Sequence, residues 1–133
     1  GQMEEAKNAC EDILSTDPES IEALMIMGAI YKKDKKYTEA NDIYSEINII
    51  DNSYIAAIYE RGDLFLLQSK PLWAEKYFKK ALTINPDYAL ARLGLAKVAL
   101  LHKDKDKYKE YVEMAYSLDP TNELIKEEYE KIK

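Results

Sequence analysis

Apolar side chains return every three or four residues along almost the whole chain, and each such run ends in a short polar turn. That spacing collects them on one stripe of a helix. The pattern predicts helices over 3–16, 19–33, 37–50, 54–68, 72–84, 88–101, 107–118 and 122–132. In the second, Leu24, Met27, Gly28 and Tyr31 face inward; in the third, Ala40, Ile43, Tyr44 and Ile47 do. Asp17-Pro18 stops the first helix, because proline disfavours the helical region for the residue before it. Ser69-Lys70-Pro71 separates the fourth from the fifth, and Pro71 falls at or just before a first turn, where its missing N–H costs nothing.

The landmarks of these helices recur at one interval. A step of 34 residues links Gly28, Gly62 and Ala96, links Ala6, Ala40 and Ala74, and links Cys10, Tyr44 and Phe78. The same step joins Pro18, Asn52, Pro86 and Pro120. A period in this range is the signature of a helical solenoid, so the expected fold is all-α, a stack of antiparallel helix pairs. One domain is expected over 1–133. It would comprise the second helix of a truncated repeat (1–18), full repeats at 19–52, 53–86 and 87–120, and a capping helix at 121–133. A glycine inside a helix costs about 1 kcal/mol against alanine, so Gly28 and Gly62 need a packing reason. The simplest is close approach of paired helices against Ala40 and Ala74, with Tyr31, Phe65, Tyr44 and Phe78 filling the space beside them. Leucine at Gly62 would then overpack, while alanine would be tolerated. Arg61 stands where the pattern favours leucine; its stem can cover apolar surface while its head reaches water. Tyr108 replaces the alanine of the earlier repeats, which implies a looser or differently angled last pair.

Gly28 and Tyr31 followed by Ala40, Tyr44 and Ile47, then Gly62 and Phe65 followed by Ala74, Phe78, Ala81 and Pro86, resemble the tetratricopeptide repeat. The resemblance covers essentially the whole chain and departs from the pattern at Asn52, Arg61, Arg92 and Tyr108. The pentatricopeptide repeat, an RNA reader, has a different period and suits an acidic chain poorly. The resemblance implies a right-handed superhelix in which the first helix of each pair lines a concave groove. Carried across, the groove columns are Glu22, Met25, Ala29 and Lys32 in the first full repeat. The second gives Tyr59, Asp63 and Leu66, with Ala56, and the third Leu90, Leu93, Lys97 and Leu100. The implied function is a non-enzymatic scaffold that binds a peptide or helix of a protein partner in a mostly apolar groove. Met25, Tyr59, Leu66, Leu93 and Leu100 would anchor it, and Asp63 and Lys97 would fix its orientation by charge. Chaperone-binding members hold a C-terminal carboxylate with lysine, asparagine and arginine spread over three repeats. At those places this chain has Met25 and Ala29, then Glu60, then Leu90 and Gly94, so a partner of another kind is expected. Two other readings stay open: a segment of a longer scaffold packing on itself, or a regulatory arm of an enzyme.

Composition narrows these expectations. The 133 residues are 47% apolar and 33% charged, with a net charge of -6, which argues against a phosphate-binding surface and so against nucleic acid. Only four Gly and four Pro are present, few for an all-β chain. One cysteine makes no internal disulfide, so no oxidising compartment is required and the cytoplasm is the expected location. No apolar run has membrane-spanning length, so no membrane insertion is expected. His102 reads as a surface histidine near a helix end, and Cys10 as a small buried hydrophobe. Asp104-Lys105-Asp106 lacks the glycine and closing glutamate of a calcium loop. Residues 32–36 form a lysine run that could attract an acidic partner, but Asp34 interrupts it and Glu39 follows, so it reads first as a charged turn. No catalytic group, metal or cofactor is expected. Ala6, Cys10 and Ile13 form a stripe where a preceding helix would sit, so self-association through the first helix is expected to cover it.

Overall fold

A computed structural model describes residues 1–133 and contains eight helices and no strand. They are α1 (Gln2–Thr16), α2 (Ile21–Lys33), α3 (Tyr37–Ile50), α4 (Ile55–Leu67), α5 (Pro71–Ile84), α6 (Ala89–Leu101), α7 (Lys105–Leu118) and α8 (Glu123–Ile132). Each helix packs on the next in chain order, and α4 also meets α6, so the chain is an all-α solenoid. No helix is long and apolar enough to cross a membrane.

The turns repeat as faithfully as the helices. After each of α1, α3, α5 and α7, an aspartate or asparagine accepts the backbone N–H two residues on. The pairs are Asp17 with Glu19, Asp51 with Ser53, Asn85 with Asp87 and Asp119 with Thr121, at 3.0–3.3 Å. These side chains imitate a backbone turn, so the break at Asn52 survives without proline. Within each pair the chain reverses through a residue in the left-handed region: Lys35, Ser69 and Lys103, with φ of 61°, 57° and 61°. Ser20, Asp104 and Asn122 cap the helices that follow them by accepting backbone N–H groups.

The glycines are explained by rings. A Cβ on Gly62 would lie 2.6 Å from Cε1 of Phe78, and one on Gly28 would lie 2.6 Å from Cε1 of Tyr44. A Cβ on Gly94, in the next repeat, would lie equally close to Phe78, 2.6 Å from its Cε1. The ring of Phe78 therefore touches the backbones of both α4 and α6. The close partners are Tyr44 and Phe78, not Ala40 and Ala74, and alanine at Gly62 is not free of cost. In the third repeat Ala96 takes the glycine position, and Val112, 34 residues after Phe78, takes the ring's. The smaller side chain leaves space for the methyl, and both residues are fully buried in one cluster.

Two other expectations are corrected. Tyr108 does not loosen the last pair: it lies buried in the cluster containing Ala96 and Ala99, and α6 packs on α7 at least as closely as the earlier pairs do. The head of Arg61 is tied down within the protein. Its Nε donates to Asn41 Oδ1 at 3.2 Å, its Nη2 donates to the Tyr77 hydroxyl at 2.8 Å, and the guanidinium lies 4.4 Å from the Tyr77 ring centre. Asn41, Arg61 and Tyr77 sit on α3, α4 and α5, so this polar clasp joins two repeats. The α1 stripe is also less bare than its pattern implies. Cys10 is buried against Ala23 and Met27 of α2, which leaves Ile13 and Met3 as the exposed large apolar side chains of α1, with the small Ala9 exposed between them.

Gly62→Ala is expected to destabilise by ~1–3 kcal/mol, and Gly62→Leu by more. In a Phe78→Val background the same alanine should cost little, and denaturation midpoints of the four-member cycle measure the coupling. An equal cost in both backgrounds would show that the ring is not the obstacle. Burial also pushes the Cys10 thiol up. A disulfide reagent at neutral pH should modify the folded chain far more slowly than the unfolded one, and equal rates would show α1 standing clear of α2.

Candidate functional site

Three first helices, α2, α4 and α6, and the final α8 together supply one face of the stack with two cavities. The first, about 510 Å³, lies beside α2 and α4. Met25, Ala29 and Lys32 line it from α2 and Glu60 and Leu67 from α4; Lys33, Lys35 and Tyr37 edge it at the α2–α3 turn. The second, about 300 Å³, has Asp63, Leu66 and Leu67 on one side and Lys97, Leu100 and Leu101 on the other, with Glu128 of α8 at its end. Leu67 lines both, so the two cavities are contiguous. Leu67, Leu100 and Leu101 are each close to half exposed.

A charged cluster stands where the cavities meet. Lys32 Nζ donates to Glu60 Oε2 at 2.9 Å and pairs with Asp63, which ties α2 to α4. Burial alone would push the Lys32 ammonium down, but Asp63 and then Glu60 outweigh it and hold it above the ordinary lysine value. Tyr44 reaches the first cavity from α3 because Gly28 lets its ring pass. Burial, then the charges of Glu60 and Asp63, push its hydroxyl well above the ordinary tyrosine range. Tyr59 is raised in the same way, by burial and then by Asp63 and Glu60.

The residues expected at the groove divide into two groups. Met25, Ala29 and Lys32 line the first cavity, and Asp63, Leu66, Lys97 and Leu100 line the second. Leu93 is only 1% exposed and packs with Tyr108 and Ile125 in the core, so it has no surface to offer a partner. Tyr59 is 9% exposed, with its ring 5.8 Å from Phe78 and 6.1 Å from Tyr88. Both corrections have one cause. A first helix packs against its own partner and against the neighbouring pairs, so only a narrow stripe of it stays open. Glu22 is exposed outside both cavities, and Leu90 lines a separate one of about 290 Å³ with Tyr88 and Asn122. The sequence columns missed Leu67, Leu101, Tyr44, Glu60 and Glu128. A signal did exist for some of them: Leu67 and Leu101 are 34 residues apart, as are Glu60, Gly94 and Glu128. Glu128 is buried, with Lys131 Nζ at 2.7 Å from its Oε2.

A family model described as the tetratricopeptide repeat matches residues 55–88, the span of α4 and α5. The fold is a tetratricopeptide-repeat-like solenoid. It is 33% identical over 104 residues to an uncharacterized protein, ycf37, of Cyanophora paradoxa, covering 75% of this chain and 60% of that protein. The chain thus spans less than two thirds of that relative. A solved tetratricopeptide repeat protein from Parabacteroides merdae has the same fold, with a TM-score of 0.83 and 24% identity over 99% of this chain and 52% of that one. The first repeat domain of Spaghetti (RPAP3), solved bound to an HSP90 peptide, gives a TM-score of 0.71 and 25% identity, covering 82% of this chain and 86% of that one. The matched repeat carries Glu60, Asp63, Leu66 and Leu67, the residues at which the two cavities join.

The tyrosines beside this cluster set a pH limit on the fold. Tyr44, Tyr59 and Tyr88 all have folded pKa values raised above the ordinary 10.0. Groups raised in the folded state contribute stability that is present below the unfolded value and lost as pH climbs from 10.0 toward the folded one. Alkaline titration should therefore release the last tyrosinate absorbance together with the loss of helicity. Full ionisation of all 11 tyrosines near pH 10.0 with helicity intact would contradict the burial described above.

Proposed function

We propose that this chain is a non-enzymatic protein-interaction module that holds an extended or helical segment of a partner along the face formed by α2, α4 and α6. One observation carries the reading: two contiguous cavities, joined at Leu67, run across successive repeats on one face with half-exposed leucines at their edges. A concave surface of apolar residues with a few placed polar groups is the usual form of a binding site. The solved Spaghetti repeat, whose fold this chain shares, carries a bound peptide. The anchors assigned are Met25, Leu66, Leu67 and Leu100, with Asp63 and Lys97 as the charged groups beside them. Tyr59 and Leu93 act instead as the packed floor. Met25, Ala29, Glu60, Leu90 and Gly94 occupy the places of the chaperone carboxylate clamp, and none of them can hold a C-terminal carboxylate.

Peptides selected from a random library on the native chain test this. The pair Leu66→Ser and Leu100→Ser should weaken them tenfold or more, about 1.4 kcal/mol, with helicity unchanged. The pair Lys79→Ser and Lys80→Ser, exposed on α5, should leave affinity within about twofold. Loss of binding in the lysine pair with retention in the leucine pair would place the function on the opposite face.

A further inference from the structure

The two cavities differ in charge. Lys33 and Lys35 stand at the edge of the first and pair with no carboxylate, whereas Lys32 is held by Glu60 and Asp63, and Lys36 lies 3.7 Å from Asp34. The lysine run that reads as a plain charged turn in sequence thus opens onto the groove. In a chain of net charge -6, two uncommitted cations at a cavity mouth mark the place where an acidic segment meets attraction in place of repulsion. The second cavity offers leucines from α4 and α6 and a single lysine, Lys97, set among Asp63 and Glu128, so the attraction for acids is centred on the first.

We propose that the partner segment is a peptide acidic at one end and apolar at the other. Its Asp or Glu side chains meet Lys33 and Lys35 at the α2–α3 turn, and bulky apolar side chains seat over Leu66, Leu67 and Leu100. This rests on the groove reading above and adds the partner's chemistry and its direction along the groove. The acids involved are side chains within the segment, so no C-terminal clamp is needed. Lys35 has φ of 61°, a conformation that glycine adopts more readily, so Lys35→Gly removes a charge without disturbing the turn.

Three labelled peptides of equal length test the proposal; they share leucines in one half and carry glutamate, lysine or serine in the other. The glutamate peptide should bind at least tenfold tighter than the lysine peptide and weaken as salt rises. It should lose about tenfold in the double variant Lys33→Ser and Lys35→Gly, while the serine peptide changes little. A glutamate peptide that binds no tighter than the serine one, or is unaffected by the double variant, overturns the proposal. If Leu66→Ser with Leu100→Ser still weakens all three peptides in that case, the groove reading stands alone. If the leucine variant changes none of them, the groove reading falls too. A polythymidine strand bound as tightly as the glutamate peptide, and lost in the double variant, would make the lysines a general anion patch and overturn the peptide assignment.

Discussion

The contact on which the rest of the stack depends is the passage of an aromatic ring against bare backbone. Phe78 stands on a second helix, yet its ring meets Gly62 of its own repeat and Gly94 of the next, each so closely that a single methyl would collide. One side chain thereby sets the spacing of three helices, α4, α5 and α6. Interiors are close-packed, so such a ring cannot shift to admit a methyl without moving helices. Tyr44 plays the same part against Gly28 one repeat earlier, and Val112 against Ala96 one repeat later with both partners changed in size together. Ring and glycine are best regarded as one unit that varies by compensation.

That packing decides how much of the groove exists. Close approach of the helices draws Tyr59 and Leu93 out of reach and leaves Met25, Leu66, Leu67 and Leu100 as the apolar stripe that a partner could touch. It also brings Lys32 within hydrogen-bond distance of Glu60 across two repeats. The polar clasp of Asn41, Arg61 and Tyr77 binds the same two repeats through α3, α4 and α5. A rigid face costs less entropy to occupy than one that must be ordered on binding.

Much of this was legible in the sequence, and the failures are instructive. The 34-residue step located the helices, the small positions and the first-helix columns, because periodicity reports which face is buried. It could not report depth. Leu93 and Leu100 share a helix and an apolar side chain, yet one is core and the other nearly half exposed, since α7 and α8 cover only the first. Arg61 was misjudged for a related reason. Its partners Asn41 and Tyr77 are distant in sequence and become neighbours only through the stacking of repeats. Lys33 and Lys35 belong to a run that composition treats as solvated; only the fold shows which members are already paired.

One column joins core and groove directly. Glu60, Gly94 and Glu128 occupy the same place in three successive repeats. Where the ring behind that place is Phe78, apolar to its edge, the next helix must present the smallest residue, and Gly94 does so. Where the ring is Tyr44, its buried hydroxyl requires a polar neighbour, and Glu60 supplies one that also holds Lys32. Where the ring is reduced to Val112, space returns for a long side chain, and Glu128 lies buried beside Tyr108, whose hydroxyl is raised by burial and then by that carboxylate. The identity of the core side chain thus fixes whether the groove is charged or bare at each repeat. A solenoid of this construction cannot change this face at this column without also repacking its interior.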